Sequence, residues 1–221
     1  MTETKPIIAV LGGTGKEGPG LAMRWATVGY QIIIGSREAE KAQRVAAELN
    51  DKLGIDTITG MQNAEAAQAA HISVLTVVAT AHQPAVESLK EALQGKILVD
   101  ATARIDFRDP KPPAPPPAAA IAQEILGPGV RVVAAYQNVP AHSLRKNLGG
   151  TIDTDVLVCA DDLDAAQEVI DLTQAVGMQA YYAGGLANAI IVEGLTAILI
   201  AMNKHYGVKT ASIGITGISQ Q

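Results

Sequence analysis

Cysteine, aromatic residues and excess positive charge are all scarce in this sequence. The single cysteine, Cys159, excludes an internal disulfide and a site with several thiolate ligands. One Phe, one Trp and five Tyr provide few surfaces for base stacking, and a net charge of −5 leaves no basic excess for a phosphate backbone. No signal-peptide pattern precedes the first strand-like run at Ile7. The sequence therefore predicts a cytoplasmic protein that does not bind nucleic acid.

A long uninterrupted apolar run is also missing. The longest one, residues 187–202, contains Asn188 and Glu193 and is shorter than the roughly 20 residues that cross a membrane. Apolar residues nevertheless make up 48% of the chain and charged residues only 18%, which is typical of a globular protein. We therefore expect this run to form a buried helix and not a membrane span.

Short β-branched segments alternate with longer helical patterns, which indicates βαβ units around a parallel sheet. The strand candidates before residue 150 are 6–11, 31–35, 56–59, 72–78, 96–101 and 130–136. The helical patterns between them cover 17–28, 38–53, 62–70, 83–93 and 118–126. Segments 74–78 and 97–99 are apolar on both faces, as expected for strands that helices cover on each side. The predicted fold class is α/β, with a doubly wound, mainly parallel sheet.

The chain changes character after Gly149 and Gly150. The elements expected there are a strand (155–159), a helix (162–176), a strand (178–182), a long apolar helix (186–206) and a last strand (211–217). We predict two domains, residues 1–150 and a small C-terminal α/β domain of residues 151–221. A helix that is apolar nearly all round needs cover on every side, which the first domain or a second subunit would supply, and we predict a homodimer.

A proline-rich segment interrupts the alternation. Residues 110–117 include six prolines, which cannot form a helix or a strand ladder. We interpret the segment as a stiff spacer between a strand and a helix, in preference to a ligand for an aromatic groove.

A glycine-rich turn joins the first strand to the first helix. Gly13, Gly15 and Gly18 have the spacing of the dinucleotide fingerprint, in the required context of strand, tight turn and helix. One glycine permits the turn, one lets the backbone approach a pyrophosphate, and one lets the helix pack on the strand. The helix start adds unpaired N–H groups and a positive dipole end. We therefore predict a dinucleotide site at this turn.

The end of the second strand indicates which dinucleotide binds. An NAD site usually has a carboxylate there, which accepts hydrogen bonds from the ribose 2′-hydroxyl. Here the chain reads Gly35-Ser36-Arg37, and Lys41 and Arg44 continue along one face of the next helix. Ser36, Arg37 and Lys41 offer donors to a 2′-phosphate, so the predicted cofactor is NADP. A solvated charged face is the alternative interpretation, and it suits Arg44 best.

Few acid or base side chains follow the remaining strands, although chemistry in such sheets takes place at the carboxyl ends of the strands. His82 and His142 are the candidate proton donors, but a helix-start or surface position explains each more readily. No histidine pair has ligand spacing, and the acids at 161, 162 and 164 are typical of a capped helix start, so no metal site is expected. Such a site suits hydride transfer between two carriers that need only be held together.

Further motifs extend over nearly the whole chain. They are Leu11–Gly15 with Gly18, Gly35–Arg37 with Lys41, Ile58–Met61 with Asn63, Asn138–Ala141, Asp155–Cys159 with Asp161 and Asp162, and residues 183–196. Together they resemble the NADPH-dependent reductases of the deazaflavin coenzyme F420. The resemblance implies reversible hydride exchange between NADP and the deazaflavin. It also implies a homodimer with an N-terminal Rossmann domain and a small C-terminal domain.

The resemblance also implies site residues but no catalytic residue, because positioning suffices. The pyrophosphate would be held by Gly13, Thr14, Gly15, Lys16 and Glu17, and the 2′-phosphate by Ser36, Arg37 and Lys41. The nicotinamide half and the place where the two rings meet would be lined by Val78, Ala79, Asn138, Pro140 and Ala141, and Ile213 would contact the deazaflavin. Ala79 departs from the bulky aromatic of some relatives, and the proline-rich segment replaces a different connection.

Two other functions stay open from the sequence. Asn138-Val-Pro-Ala141 also resembles the loop of pyrroline-carboxylate-type reductases, which would make the protein an NADP-dependent reductase of a small imine or carbonyl compound. A module that senses the NADP redox state without turnover is the other alternative, since a Rossmann protein can lose its catalytic activity and keep its fold.

Overall fold

One sheet of eight strands runs through the computed structural model, which describes residues 5–218. The strands are β1 (Ile8–Leu11), β2 (Ile32–Ser36), β3 (Ile58–Gln62), β4 (Ile72–Leu75), β5 (Ile97–Asp100), β6 (Arg131–Ala134), β7 (Asp155–Ala160) and β8 (Gln179–Tyr182). Their order is β3-β2-β1-β4-β5-β6-β7-β8, and only the β6–β7 pair is antiparallel. The first six strands form a doubly wound Rossmann sheet, so the predicted fold class is confirmed.

Helices cover both faces of the sheet. They are α1 (Gly18–Thr27), α2 (Ala39–Leu53), α3 (Asn63–Ala69), α4 (Ala79–Leu89), α5 (Ala118–Leu126), α6 (Leu163–Gln174) and α7 (Ala189–Tyr206). Short 3₁₀ turns at Ser143–Arg145 and Leu186–Asn188 accompany them. Ile8 and Val10 point into the core beneath α1, α2 and α6, whereas Ala9 and Leu11 belong to the core beneath α3, α4 and α5. Side chains alternate along a strand, so β1 supplies both cores.

The crevice at the centre of the sheet follows from its strand order. β1 pairs with β2 on one side, Val10 opposite Ile34, and with β4 on the other, Val10 opposite Val74. The chain crosses between these two halves at the β1–β4 pair, so the connections that leave the carboxyl ends of β1 and β4 diverge there. Ligands of open α/β sheets bind in that crevice.

Two predicted element boundaries are wrong around β4. The strand ends at Leu75 and not at Val78, because Val77 and Val78 leave the sheet and Val78 becomes the N-cap of α4. The helix begins at Ala79 and not at Gln83, so Pro84 lies inside it. Pro84 is the sixth residue of α4, beyond the first turn, and it has no N–H to donate to the carbonyl four residues before it.

The predicted last strand is also wrong: residues 211–217 are described and form no strand. The Asp155 N–H donates to the Ile213 carbonyl at 2.9 Å, but the Ile215 N–H donates to the Asp155 carboxylate at 2.5 Å and not to a neighbouring carbonyl. One backbone bond to β7 and one bond to its side chain do not make a ladder, so the segment lies beside β7 without being a strand.

Helix α7 is buried only in part within the single chain, so the expected cover by a second subunit stays a prediction. The helical segment Leu186–Tyr206 has 21 residues and a mean hydropathy of 1.7, so by length and composition alone it is long and apolar enough to cross a membrane. Only 39% of its most apolar window is buried. The exposed side chains include Ile191, Ile198, Met202 and Tyr206. The segment has the bounds predicted for this helix, and one face of it is uncovered by the rest of residues 5–218.

Candidate functional site

The turn after β1 adopts the geometry of a phosphate-binding loop. Gly12 has a φ of +69°, and its N–H donates to Asn63 Oδ1 at 3.1 Å. A side chain at Gly13 would lie 2.5 Å from the Val10 carbonyl, and one at Gly18 would lie 2.7 Å from the Gly13 Cα. At Gly15 the nearest atom would be 3.7 Å away, so that side of the loop is open. Gly12 makes the turn, Gly18 allows the helix to pack, and Gly15 leaves room for a ligand.

The helices that begin around the crevice have no side-chain caps. The first N–H groups of α1, α2 and α4 receive no capping hydrogen bond from a neighbouring side chain. By contrast, Asp162 caps α6, and Gln62 and Glu65 form a capping box at α3. Uncapped N–H groups and the positive end of the helix dipole favour an anion. α1 and α2 therefore offer free donors where the pyrophosphate and the 2′-phosphate are expected.

Donors without partners also lie at the end of β2. Ser36 is buried, and its Oγ accepts a hydrogen bond from the Glu38 N–H at 3.3 Å. Arg37, Lys41 and Arg44 are exposed, and within residues 5–218 their side chains have no acidic or hydrogen-bonding partner. The positive charges are thus available to an anion, and their binding of a 2′-phosphate stays a prediction.

Glu17 lies between the glycine loop and α1, as the N-cap residue of that helix. Although the residue as a whole is only partly buried, its Oε1 is enclosed and has no partner among the described residues. Burial raises the pKa of this carboxyl from 4.5 to about 8. At neutral pH the group is therefore mainly uncharged, which removes an electrostatic conflict with a nearby phosphate.

Small and apolar side chains line the other half of the edge. Val78 is 62% exposed at the start of α4, and Ala79, Pro140 and Ala141 are half-buried. The exposed Val78 side chain is therefore available for an apolar contact with a flat ring.

The structure brings Asn138 and Ile213 together through one residue. Asn138 Nδ2 donates to the Asp155 carbonyl at 2.7 Å, and the Asp155 N–H donates to the Ile213 carbonyl at 2.9 Å. The C-terminal segment therefore lies beside the loop that follows β6, as the sequence prediction for Ile213 requires.

Three buried polar atoms at the ends of β5 and β6 have no partner among residues 5–218. They are Thr102 Oγ1, Gln137 Oε1 and Asn138 Oδ1, on side chains that are at least nine-tenths buried. Buried polar groups normally have a partner, which is often water or a ligand. Hydroxyl and amide oxygens suit a heterocycle with N–H and amide groups, so the residues present fit a nicotinamide or deazaflavin ring.

His82 is neither a surface residue nor a free proton donor. It lies inside α4, is 2% exposed, and its Nε2 is 2.6 Å from Asp100 Oδ2. The other carboxylate oxygen of Asp100 accepts a hydrogen bond from the Thr102 N–H at 2.9 Å. His142 is exposed and precedes the 3₁₀ turn at Ser143. The surface interpretation of His82 is therefore wrong, because helix α4 starts earlier than its sequence pattern indicates.

Known proteins match the chain over most of its length. A family model described as NADP oxidoreductase, coenzyme F420-dependent, matches residues 7–104. The F420-dependent NADP reductase of Methanothermobacter marburgensis is 38% identical over 225 residues, which cover 96% of this chain and 99% of that protein. The enzyme of the same name from Methanocaldococcus jannaschii is also 38% identical, with 96% and 98% covered.

The chain belongs to the F420-dependent NADP reductase family. Its fold agrees with a crystal structure assigned to this family from Arthrobacter sp. FB24, with a TM-score of 0.81 at 26% identity over 96% of this chain and 100% of that one. Membership confirms the predictions of an oxidoreductase and of NADP and F420 as its cofactors.

Several residues that build this reductase site were missed by sequence reasoning. Gly12, and not a glycine of the fingerprint, makes the turn, and the run of two glycines after Leu11 was the available signal. Asn63 accepts a hydrogen bond from the Gly12 N–H, and no local pattern predicts that contact.

Asp162 caps α6 through the Ala165 N–H at 2.8 Å, which confirms the capping interpretation of that acidic run. Among residues 5–218 no group of three or more His, Cys, Asp or Glu is placed to hold a metal ion.

A further groove of this reductase lies elsewhere. It has a volume of about 940 Å³ and is lined by the end of the proline-rich segment, by α5, and by Leu186 and Ala187 at the start of the α7 segment. None of the predicted cofactor-binding residues lines it. It is separate from the crevice described above.

Proposed function

We propose that the protein transfers a hydride reversibly between NADP(H) and F420, and that it does so by holding the two rings together in the crevice at the carboxyl edge of the sheet. One observation carries the proposal. Two uncapped helix starts, a cluster of basic side chains without partners, and small side chains without acid or base groups all lie at the carboxyl edge of the sheet. This arrangement occurs in a chain that belongs to the F420-dependent NADP reductases. When bound, NADPH supplies the hydride and oxidised F420 accepts it together with a proton from solvent.

Different residues bind different parts of the cofactor. Gly13, Thr14, Gly15, Lys16 and Glu17 lie where backbone N–H groups can surround the pyrophosphate. Ser36, Arg37 and Lys41 bind the 2′-phosphate through charge-assisted hydrogen bonds.

The residues in the other half of the crevice orient the two rings and exclude water from between them. Val78 and Ala79 contact one face of the nicotinamide, and Asn138, Pro140 and Ala141 lie where the two rings meet. Ile213 lies against the deazaflavin side. None of these side chains exchanges protons, so the rate depends on the approach that small residues permit and on the dry contact of the rings.

The test mixes the purified protein with NADPH and oxidised F420 and follows the visible absorbance of the deazaflavin. We expect bleaching with NADPH and much less with NADH. Binding of NADPH without bleaching would instead support the redox-sensing module. Binding without bleaching, but with turnover of a cyclic imine, would support the alternative reductase.

A homodimer is part of the same proposal. The exposed face of α7 carries large apolar side chains at helical spacing, namely Ile191, Ile198, Met202 and Tyr206, exposed by 70, 53, 42 and 69%. A second copy of the chain is the occupant that accounts for this face, because an exposed apolar surface of this kind marks a protein–protein or membrane contact. Glu193 in the middle of α7 is bound inside the protein, which disfavours a lipid bilayer.

A cytoplasmic location completes the proposal. Its support is Cys159, the only cysteine in the sequence, which is buried as a free thiol. Burial raises the pKa of this thiol to about 11, so it stays protonated and unreactive at neutral pH.

A further inference from the structure

A segment far along the chain returns to the start of α1. The 3₁₀ turn Ser143–Arg145 packs against Gly20, where an added side chain would lie 2.7 Å from Leu144 Cβ and 3.6 Å from Arg145 Cγ. Glycine at this position therefore lets the segment approach the first turn of α1. This is the helix end that the glycine loop feeds.

Arg24 fixes the segment in place. Its buried guanidinium donates to the carbonyls of Leu144 at 3.0 Å, Lys146 at 2.5 Å and Gly150 at 3.0 Å. A fourth bond reaches the carbonyl of Asn147 at 3.3 Å. Because Arg24 holds the backbone on both sides of residue 145, the Arg145 side chain has a defined origin and direction.

Arg145 reaches the phosphate-binding loop. Its Nη2 donates to the Lys16 carbonyl at 3.0 Å, across 129 residues of sequence. The side chain is exposed and has no carboxylate partner among residues 5–218. A guanidinium has five N–H donors in a planar fork, so four remain for another acceptor. Nothing in the described protein uses this charge.

We propose that Arg145 is a ligand of the cofactor pyrophosphate, supplied by the segment after β6 to the loop after β1. This inference rests on the proposed binding of NADP in the crevice. The pyrophosphate is favoured over the 2′-phosphate because Arg145 touches Lys16 at the start of α1, whereas Ser36 and Arg37 lie at the end of β2. A planar fork matches two phosphate oxygens, which a lysine cannot do in the same way.

The test measures equilibrium binding of NADPH, NADH and 2′-AMP to the full-length protein. Arg145→Gln should weaken NADPH and NADH alike, by about tenfold, since both contain the pyrophosphate. It should leave 2′-AMP unchanged, because that probe has the 2′-phosphate and no pyrophosphate. Lys146→Gln removes one positive charge from the neighbouring exposed position and should change each affinity by less than about twofold.

Three results would overturn the inference. They are unchanged binding of NADPH by Arg145→Gln, a loss confined to NADPH, and an equal loss for 2′-AMP. Should Arg145→Gln fail to fold, Arg145→Lys decides, because it keeps the charge and loses the fork and should still weaken both dinucleotides. A wild-type protein that binds no NADPH would contradict the proposed function itself. A wild-type protein that reduces F420, with an Arg145 variant of full affinity, would contradict only this inference.

Discussion

Arg37 is an exposed cation at the carboxyl end of β2, with no acidic partner among residues 5–218. Its substitution in Arg37→Ala should raise the KM for NADPH far more than the KM for NADH. The loss is up to ~2 kcal/mol, about 30-fold, if a charge-assisted hydrogen bond to the 2′-phosphate disappears. Steady-state kinetics with both nucleotides measure the difference. Arg44→Ala is the control, at an exposed position on α2 three residues beyond Lys41. Equal effects of Arg37→Ala on both nucleotides would contradict the assignment.

Glu17 links the glycine loop to the stability of the protein. Its pKa is raised from 4.5 to about 8 in the folded state because the carboxyl is buried. The folded protein therefore holds a proton that the unfolded chain releases. The contribution of this carboxyl to the free energy of unfolding is fully present below about pH 4.5 and is lost as the pH rises towards 8.

Glu17→Gln should remove this pH dependence. Relative to the variant, the wild type should lose stability at up to roughly 1.4 kcal/mol per pH unit between those two pKa values and no more above them. Urea unfolding at about pH 5 and pH 8, followed by the fluorescence of Trp25, measures both proteins. Parallel behaviour of the two would show that the carboxyl is not protonated in the fold.

Helix α7 and the proline-rich segment form one unit through Glu193. The carboxylate is fully buried and accepts hydrogen bonds from the Arg104 N–H at 3.0 Å and from the Ala118 N–H at 2.6 Å. These two residues flank the proline-rich segment, and Ala118 begins α5. Burial raises the pKa of Glu193, and the two N–H donors and Arg104 oppose that shift. One side chain thus closes the loop and caps a helix.

Glu193→Gln should loosen this loop. An amide has one acceptor oxygen and one NH₂ group, so one of the two backbone donors would face another donor, at a cost of about 1–3 kcal/mol. Limited trypsin digestion should then cleave after Arg108 several-fold faster than in the wild type. Glu124→Gln, an exposed change on α5, should leave the rate unaltered, and a wild-type rate for Glu193→Gln would mean that the prolines alone hold the loop.

The success of sequence reasoning at the scale of elements depended on how local each signal was. The ends of helix α2 and of strand β2 were predicted to within one residue, because the signals for both, turn and cap residues and hydrophobic periodicity, lie in the local sequence. The last strand failed because a strand needs a ladder of backbone hydrogen bonds, whereas the described segment bonds β7 through the Ile213 carbonyl and through the Asp155 side chain. The burial of α7 stays a prediction for its exposed face, because it depends on a neighbour that the segment does not encode.

At the scale of the molecule, two parts of the chain share one core. Trp25 of α1 donates from Nε1 to the Leu172 carbonyl of α6 at 3.1 Å, and its ring meets Tyr136 edge to face at 5.9 Å. β7 and β8 continue the sheet of the first six strands. The division at residue 150 stays a prediction, because a boundary in sequence does not decide whether two parts unfold separately.

Urea unfolding should decide it. With Trp25 as the only tryptophan, its fluorescence reports the contact between α1 and α6, and far-ultraviolet circular dichroism reports all helices. We expect coincident transitions, since the buried core crosses residue 150. A dichroism transition that precedes the loss of Trp25 fluorescence would instead indicate a domain that unfolds on its own.

The proposed homodimer is tested at the same scale. Sedimentation velocity should give a dimer for the wild type and a monomer for Ile198→Glu, because a charge in the middle of the α7 face cannot be buried against a second copy. Leu163→Glu is the control: Leu163 is 63% exposed but lies at the start of α6. A wild-type monomer would contradict the proposal, and so would a dimer that tolerates Ile198→Glu.

The sequence by itself determined the sheet of βαβ units, the glycine turn and the basic end of the second strand, because each is a pattern within a few neighbouring residues. Only the tertiary structure decided that Arg145 meets Lys16, that His82 pairs with Asp100, and that Glu193 closes a distant loop. These contacts join residues separated by 129, 18 and 89 positions. The packing of the helices on the sheet brings them together, and no short-range period encodes that packing.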